Sequence, residues 1–303
     1  MTRTDSLRLT AQLGVFIAER APVVDWTKAE LDEARRTLGG EGVAALARAG
    51  YIAQDFETYY VLEKFLAMIE LPPAAEGAFT RALFAAARKF TPQELRQDPY
   101  LCAVRAPTVR LGRFLLTEAS YARGELFLRD VPDFDAEPVV PRLGFCTDAV
   151  RFPSIYEDEM PWMSVCPSEM ATMRAPLARA HGRMLVLGLG LGYYPFLASR
   201  RPEVVSLDIV ERSEEVIRLF TEHLLPQFPL REKLRVLHAD AFEYLAALRG
   251  GEYDFCFADI WENHIDGAAA YRKLRPHAAR LRGTEFAYWI EDAIRWQLGQ
   301  ESV

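Results

Sequence analysis

The sequence lacks long hydrophobic runs, a net positive charge and closely spaced cysteines. No uninterrupted apolar run approaches the length of about 18 residues that a membrane-spanning helix needs, so we expect no membrane association. The net charge of −7 disfavours a general nucleic-acid binder, because such proteins neutralise phosphates with clustered lysine and arginine. Cys102, Cys146, Cys166 and Cys256 are scattered, which is typical of reduced thiols. This pattern predicts a cytoplasmic protein without a structural disulfide or zinc site.

Composition and pattern together divide the chain into segments. Half of the 303 residues are hydrophobic and 26% are charged, which predicts globular domains with real cores. The length favours more than one domain. We predict a helical N-terminal domain over 1–108, a β-rich connector or lid over 109–165 and an α/β domain over 166–303.

The N-terminal segment has apolar residues at three- and four-residue spacing, which is typical of amphipathic helices. The predicted helices cover 31–52, 55–71 and 77–90, with breaks at Gly39-Gly40 and Pro72-Pro73. We interpret them as a packing or dimerisation unit, because exposed apolar helix faces suit a homodimer.

The connector changes to alternating apolar and polar residues. The run GRFLLTEASYARGELFLRD carries an Arg-Gly pair at a turn, which predicts a β-hairpin over 114–128.

Strand and helix patterns alternate regularly from about residue 168 onward. Such alternation predicts a doubly wound parallel sheet of the Rossmann-like type, with helices on both faces. The predicted strands cover 184–188, 203–210, 234–239, 253–260 and 285–290.

The residues that follow these strands form a constellation. Ligands of an open parallel sheet bind outside the carboxyl ends of the strands, so residues at those ends are expected to lie together. The first strand runs into three alternating glycines in RMLVLGLGLGYY, and carboxylates follow the next three strands. The constellation consists of Gly188, Gly190, Gly192, Glu211, Asp240 and Asp259.

The spacing of the glycines favours a nucleoside over a dinucleotide. A dinucleotide site has the pattern Gly-x-Gly-x-x-Gly, and here its third glycine position is Tyr193. No Gly-Lys-Ser/Thr follows, which excludes a phosphate-binding loop of the Walker type. The glycines would allow a nucleoside to approach the backbone closely.

Two of the carboxylates have a binding interpretation and a structural one. Glu211 could accept the hydroxyl groups of a ribose, or it could be a solvated strand end or a helix cap beside Ser213. Asp240 could accept a hydrogen bond from an adenine amino group, and it could also cap the helix that begins at Ala241. Both roles are compatible for Asp240.

The motifs VLGLGLG, DIVERSEEVI, HADAFEYL and YDFCFADIWEN resemble those of class I S-adenosylmethionine-dependent methyltransferases, and more narrowly the spermidine synthase-like branch. In that branch a His-Glu-Met segment precedes the first strand, and Ser168-Glu169-Met170 stands here at nearly the same distance. The fourth strand of that branch ends in Asp-x-x-Asp, where this chain has Asp259-Ile-Trp-Glu262. The resemblance covers roughly residues 152–292. The methyltransferase sheet that it implies usually ends in a β-hairpin, but few residues follow the last predicted strand here, so we expect the hairpin over 114–128 to cover the exposed edge instead.

The resemblance implies a cofactor and roles for these residues. S-adenosylmethionine, or its decarboxylated form, would lie on the three glycines, with the ribose at Glu211 and the adenine at Asp240 and Ala241. Asp259 would be the carboxylate that orients or deprotonates an attacking amine, and Glu262 would be a second carboxylate for the acceptor. Ser168 and Leu191 stand where the spermidine synthase-like branch has a histidine and an acidic residue, which weighs against a polyamine acceptor.

Aromatic and acidic residues on both sides of the first strand complete the predicted site. In the fold implied by the resemblance, the segment 156–170 is a lid that supplies Trp162 and Glu169. We expect Tyr193 and Tyr194 to line the mouth of the same pocket. Trp261 could stack on a planar or cationic substrate, or it could pack against the neighbouring helix.

The sequence leaves three functions open. The first is a methyltransferase for a small-molecule or polar acceptor, and the second is an aminopropyltransferase. The third is a non-catalytic nucleoside-binding or scaffold protein, in which the helical N-terminal segment contacts a partner. Asp259 and Asn263 provide too few oxygen ligands to predict a metal site, so none is predicted.

Overall fold

The structure, a computed structural model, describes residues 1–75 and 77–300. The α-helices of the described residues are α1 (Arg3–Arg20), α2 (Lys28–Arg48), α3 (Phe56–Met68), α4 (Ala78–Ala86), α5 (Pro92–Leu95), α6 (Pro99–Ala103), α7 (Pro167–Thr172), α8 (Arg174–Arg179), α9 (Tyr193–Ser199), α10 (Glu214–Leu219), α11 (Ala241–Ala247), α12 (His264–Arg280) and α13 (Glu291–Gln300). A π-helical turn, Phe220–Leu224, directly continues α10.

The strands are β1 (Arg88–Phe90), β2 (Val109–Leu111), β3 (Phe114–Tyr121), β4 (Leu126–Asp130), β5 (Arg142–Cys146), β6 (Val150–Glu157), β7 (Met160–Ser164), β8 (Gly182–Leu187), β9 (Val204–Glu211), β10 (Leu234–His238), β11 (Phe255–Ala258) and β12 (Glu285–Tyr288). Contacts divide the chain into two compact units, one of residues 1–95 and 120–150 and the other of residues 96–119 and 151–303. The division predicted from the sequence, with boundaries after residues 108 and 165, stays a prediction.

The first unit packs helices on a three-stranded sheet of order β1-β5-β4. Helices α1 and α2 begin with capping boxes, in which Thr2 and Thr27 accept hydrogen bonds from the third residue of each helix. The core of this unit joins α1, α3, α4 and the sheet. Gly39 leaves helical geometry inside α2, with φ of +66°, which confirms the predicted break.

The predicted hairpin over 114–128 is wrong. Strand β3 belongs to a four-stranded sheet of order β2-β3-β6-β7, whereas β4 pairs antiparallel with β5 in the three-stranded sheet. Between them, the N–H of Gly124 donates to the carbonyl of Cys146, and the carbonyl of Gly124 accepts from the N–H of Val24. The Arg-Gly pair does lie in a tight turn, in which the N–H of Glu125 donates to the carbonyl of Ala122 at 3.2 Å, but this turn joins two strands that belong to different sheets. Neither strand covers an edge of the five-stranded sheet.

The end of the predicted helix over 77–90 is also wrong. Helix α4 ends at Ala86, and Arg88–Phe90 forms β1, which pairs parallel with β5. Ala87 already has an extended backbone, and Phe90 is buried by this pairing. Tertiary contacts override the local helix propensity of the segment.

The second unit contains the parallel sheet that the sequence predicts, in the order β10-β9-β8-β11-β12. All four strand pairs are parallel, and the strand bounds follow the predicted ones within a few residues. Leu185, Leu187, Cys256 and Ala258 belong to an apolar cluster with α11 and α12. Because β8 is central and all strands are parallel, the carboxyl ends of β8, β9, β10 and β11 meet at one edge.

Within residues 1–75 and 77–300, no helix combines the length and the apolar character that crossing a bilayer requires.

Candidate functional site

A cavity of about 370 Å³ opens at the carboxyl ends of the parallel strands of the second unit. Its volume lies in the range of about 300–1,000 Å³ that is usual for small-molecule sites. A larger depression of about 550 Å³ at the bend of α2 has a wall of five residues from that helix alone. The cavity of the second unit is lined by Trp162, Met163, Glu169, Gly188, Leu189, Gly190, Val210, Glu211, Arg212, Ala239, Asp240, Ala241, Phe242, Asp259, Ile260, Trp261, Glu262, Asp266 and Trp289.

The turn after β8 exposes bare backbone to this cavity. Gly188 and Gly190 both have positive φ, +95° and +50°, a conformation that favours glycine. A Cβ atom on Gly188 would overlap the carbonyl oxygen of Asp259, because the ends of β8 and β11 approach so closely. A Cβ atom on Gly190 would overlap the sulfur of Met163. The glycines are therefore required by contacts as well as by the turn.

Glu211, the last residue of β9, is 7% exposed and holds backbone N–H groups from two segments. Its Oε2 accepts a hydrogen bond from the N–H of Leu189 at 3.1 Å, and its Oε1 accepts from Arg212 at 2.8 Å and Ser213 at 2.9 Å. A carboxylate offers about four lone-pair sites, so one site on Oε2 stays available to a ligand. The cap of α10 is Ser213, which accepts from the N–H of Val216.

Asp240 caps α11 and also lines the cavity. Its Oδ1 accepts hydrogen bonds from the N–H groups of Phe242 at 2.8 Å and Glu243 at 3.0 Å, which is the geometry of an N-cap. Its Oδ2 makes no hydrogen bond to the residues that the structure describes. The structural role and an additional role as a hydrogen-bond acceptor for a ligand are thus compatible, and Ala241 lies beside it in the wall.

Glu169 and Asp259 form the most unusual pair of the cavity. Neither carboxyl group has a hydrogen bond or an ion pair within residues 1–75 and 77–300. Burial raises the pKa of Asp259 to about 7. Burial, and secondly the charge of Asp259, raise the pKa of Glu169 to about 8. Near neutral pH this pair can therefore both hold and release protons.

Three tryptophans stand around the carboxyl groups. Trp261 lines the cavity while its ring packs against Gly267 of α12, as the structural alternative expected, and its stacking on a substrate stays a prediction. The buried Nε1 of Trp261 has no hydrogen-bond partner among the described residues. Trp162 packs edge-on against Phe114, with ring centroids 5.6 Å apart. Trp289 was not predicted, although it directly follows β12, and its Nε1 donates to Thr172 at 2.8 Å.

The cavity wall is strongly acidic. Among the described residues that line it, one carries a guanidinium group, Arg212, whereas six carry carboxyl groups: Glu169, Glu211, Asp240, Asp259, Glu262 and Asp266. Asp266 accepts hydrogen bonds from the N–H groups of Glu262 and Asn263, both at 2.9 Å, and so orders the turn that follows β11. This charge distribution favours cationic ligands and opposes a pyrophosphate.

Gly192, Tyr193 and Tyr194 are not among the described residues that line the cavity. A Cβ atom on Gly192 would overlap the ring of Phe220, on the side of the π-helical turn. Tyr193 donates a hydrogen bond to Asp98 at 2.9 Å, and Tyr194 stacks on Phe257 with ring centroids 3.9 Å apart. Helix α9 starts at Tyr193 and turns both rings towards the interior of the unit.

Several residues of the cavity wall, among them Phe242, Arg212 and Met163, were not predicted from the sequence. Phe242 and Arg212 each lie one or two positions beyond a predicted residue, so the strand-end rule could have found them. Met163 carries no such signal, because it reaches the cavity through β7, outside the parallel sheet. Within residues 1–75 and 77–300, no group of three or more histidine, cysteine or acidic side chains could hold a metal ion.

No protein-family model matches the chain, and no curated protein sequence matches it. Solved structures resemble part of it. One is precorrin 8W decarboxylase of Methanobacterium thermoautotrophicum, at 18% identity and a TM-score of 0.33, over 44% of this chain and 70% of that one. Another is spermidine synthase of Thermotoga maritima, at 13% identity and a TM-score of 0.35, over 46% of this chain and 52% of that one.

A third similar structure is monomeric WbdD, at 17% identity and a TM-score of 0.30. That match covers 40% of this chain and 29% of WbdD, and the chain spans about half of the length of the spermidine synthase. Scores of this size carry no argument about activity.

Proposed function

We propose that the cavity binds a sulfonium nucleoside of the S-adenosylmethionine type and that the protein is a methyltransferase for a small, polar acceptor. The observation that carries the proposal is the meeting, in one cavity, of the glycine turn, Glu211, Asp240 and Asp259 at the ends of β8, β9, β10 and β11. The proposal also includes a doubly wound sheet, with helices on both of its faces. Two sets of contacts support this arrangement: Tyr194 of α9 stacks on Phe257 of β11, whereas α11 and α12 contact the neighbouring residues Cys256 and Ala258.

The residues present fit the nucleoside part of such a ligand. Gly188 and Gly190 line the cavity and carry no side chain of their own, and the side chain of Met163 packs on Gly190. The free acceptor site of Glu211 would accept a hydrogen bond from one ribose hydroxyl group, whereas the sequence suggested that Glu211 binds both. The free Oδ2 of Asp240 would accept from an adenine amino group, beside Ala241. A phosphate-bearing dinucleotide is disfavoured by the acidic wall.

Asp259 and Glu169 supply the remaining chemistry of the chain. A bound sulfonium nucleoside provides an electrophilic carbon. The two carboxyl groups orient the nucleophile of the acceptor and accept its proton, since a pKa near the working pH is the most effective for a general base. Holding the two reactants in line can supply about 7–11 kcal/mol of the barrier.

Aminopropyl transfer is a second candidate, and the charge of the wall favours it. Decarboxylated S-adenosylmethionine lacks a carboxylate and is more cationic than S-adenosylmethionine. Among the described residues of the wall, Arg212 alone carries a guanidinium group, and Glu262 and Asp266 line the cavity together with Asp259. Such a wall suits the more cationic donor and an amine acceptor. Glu262 is the second acceptor carboxylate in this proposal.

The first test is isothermal titration of the whole protein with S-adenosylmethionine, its decarboxylated form, S-adenosylhomocysteine, methylthioadenosine and NAD. We expect the sulfonium nucleosides to bind, NAD not to bind, and Glu211→Ala to abolish binding. Glu222→Ala, at an exposed surface ion pair with Arg218, is the control and keeps wild-type affinity. Absence of binding by every nucleoside would refute the proposal.

The second test identifies the reaction. A screen of small polar acceptors with labelled S-adenosylmethionine is expected to show methyl transfer that Asp259→Asn abolishes while nucleoside affinity remains. Extension of putrescine or spermidine with the decarboxylated donor would instead establish aminopropyl transfer. Binding without turnover in either assay would favour a nucleoside-binding scaffold. A cytoplasmic location and a homodimer formed through the N-terminal helices stay predictions.

A further inference from the structure

A tyrosine outside the parallel sheet is bonded to the glycine turn. The hydroxyl of Tyr100, in α6, donates a hydrogen bond of 2.6 Å to the carbonyl oxygen of Leu191. Leu191 lies between Gly190 and Gly192, and the side chain of Tyr100 is fully buried. A backbone carbonyl in the middle of the turn is therefore held by a side chain from a distant part of the sequence.

Asp98 makes a second connection to the same turn. Its Oδ2 accepts the hydroxyl of Tyr193 at 2.9 Å, and its Oδ1 accepts the N–H groups of Tyr100 at 2.9 Å and Leu101 at 3.1 Å. One carboxylate thus caps α6 and holds the residue that follows the glycines. Both connections lie within the second unit.

Aromatic packing closes the side of the turn that faces away from the cavity. The ring of Tyr100 stands edge-on to Tyr193, Phe196 and Phe228, with centroids 5.4, 5.3 and 6.1 Å away. Phe220, the first residue of the π-helical turn, fills the space where Gly192 would carry a Cβ atom. Leu191 is fully buried behind these rings, so its carbonyl group needs a hydrogen-bond partner within the protein.

We propose that Tyr100 is a positioning residue for ligand binding at the glycine turn. Its hydroxyl holds the Leu191 carbonyl away from the cavity, so that the backbone of Gly188–Gly190 keeps one orientation towards the ligand. The inference rests on the proposed function, in which this turn contacts a nucleoside. A turn that is ordered before binding loses less conformational entropy on binding, and this raises affinity.

Tyr194 provides a matched control. Its hydroxyl is also buried and also donates to a backbone carbonyl, that of Pro176 at 3.3 Å, but this bond does not involve the glycine turn. Tyr100→Phe and Tyr194→Phe each remove a buried hydroxyl and keep the ring. A purely structural role of Tyr100 would make the two variants behave alike.

The experiment compares both variants with the wild type by titration with S-adenosylhomocysteine, thermal unfolding and hydrogen exchange. We expect Tyr100→Phe to weaken affinity by about 5- to 30-fold, the factor that 1–2 kcal/mol produces. The backbone amides of residues 189–193 are expected to exchange their hydrogens faster in Tyr100→Phe than in the wild type. Tyr194→Phe is expected to lower the melting temperature while affinity stays within about twofold and exchange at 189–193 is unchanged.

Several results would overturn the inference. Wild-type affinity in Tyr100→Phe, or equal losses in both tyrosine variants, would assign Tyr100 a structural role. If the wild-type protein binds no nucleoside, the proposed function fails, and exchange at residues 189–193 alone decides whether Tyr100 orders the turn. Should Tyr100→Phe not fold, Tyr193→Phe replaces it, because it removes the bond to Asp98 on the same turn and is expected to weaken binding in the same direction.

Discussion

The carboxylate of Glu211 and the backbone N–H of Leu189 are joined by a hydrogen bond of 3.1 Å, which connects the end of β9 to the glycine turn after β8. The same carboxylate accepts two further N–H groups, from Arg212 and Ser213. A residue expected to serve a ligand therefore also supports the shape of the site.

Glu211→Ala is accordingly expected to reduce both stability and nucleoside binding. It leaves three N–H groups without their acceptor, and we expect the free energy of unfolding to fall by at least about 2 kcal/mol. Urea unfolding measures the change. Glu222→Ala, an exposed control, is expected to change the free energy by no more than about 0.5 kcal/mol. Equal stability of the two variants would contradict the buried network around Glu211.

Alanine substitutions at the two cavity glycines are expected to differ. In Gly188→Ala the new methyl group meets the backbone oxygen of Asp259, which cannot move aside. In Gly190→Ala it meets the flexible side chain of Met163. Thermal unfolding should therefore show the larger loss for Gly188→Ala.

The Met163 contact can be tested directly. We expect Met163→Ala to restore part of the stability lost in Gly190→Ala and to restore none of that lost in Gly188→Ala. Restoration would be incomplete, because alanine at a φ of +50° remains strained. Equal effects of Met163→Ala in both backgrounds would show that its side chain does not pack on Gly190.

The pair Glu169 and Asp259 predicts a dependence of stability on pH. Their pKa values in the folded protein, about 8 and about 7, lie above the ordinary values, so the folded state binds protons more tightly than the unfolded chain. The stabilisation that the folded state gains from these protonated carboxyl groups is fully present below about pH 4, and it is lost as the pH rises through about 7 to 8. Asp259→Asn cannot ionise, so its stability relative to the wild type should rise by about 1–3 kcal/mol between pH 5 and pH 8.5.

Asp254→Asn is the control for this measurement. The hydrogen bonds and charge of Arg183 lower the pKa of Asp254 to about 2, so this group is ionised throughout the tested range. Its substitution should change stability equally at pH 5 and pH 8.5. If the stability of Asp259→Asn relative to the wild type is also the same at pH 5 and pH 8.5, a raised pKa of Asp259 is contradicted.

Two substitutions at Asp240 separate its cap from its proposed ligand contact. Asp240→Asn keeps an oxygen for the N–H groups of Phe242 and Glu243, so stability should change little. Asp240→Ala removes the cap and is expected to lower the free energy of unfolding by about 1 kcal/mol. Nucleoside affinity, measured by titration, should fall in both variants. Unchanged affinity in both would restrict Asp240 to the cap.

Much of the parallel sheet could be predicted from the sequence because its signals are local. A short apolar run predicts a strand wherever it occurs, and parallel strands must present their carboxyl ends at one edge. These two rules together predict that Gly188, Gly190, Glu211, Asp240 and Asp259 lie near one another, and all five line the cavity. The strand pairs of the sheet confirm the predicted strands.

Pairing between distant segments was not predictable in the same way. The alternation over 114–128 correctly indicates two strands, but each strand pairs where its buried face finds a partner, and those partners lie in two different sheets. Tyr193 and Tyr194 follow the glycines directly in sequence, yet the start of α9 directs them to Asp98 and Phe257.

The sequence by itself determined which residues stand at the strand ends, because strand periodicity and the glycine pattern depend on neighbours along the chain. Only the tertiary structure decided that Glu169 and Asp259 line the same cavity, that Met163 covers Gly190, and that Tyr100 holds the carbonyl of Leu191. These contacts join segments far apart in the chain. They depend on how the layers pack and on which polar groups are left to be satisfied when water is excluded.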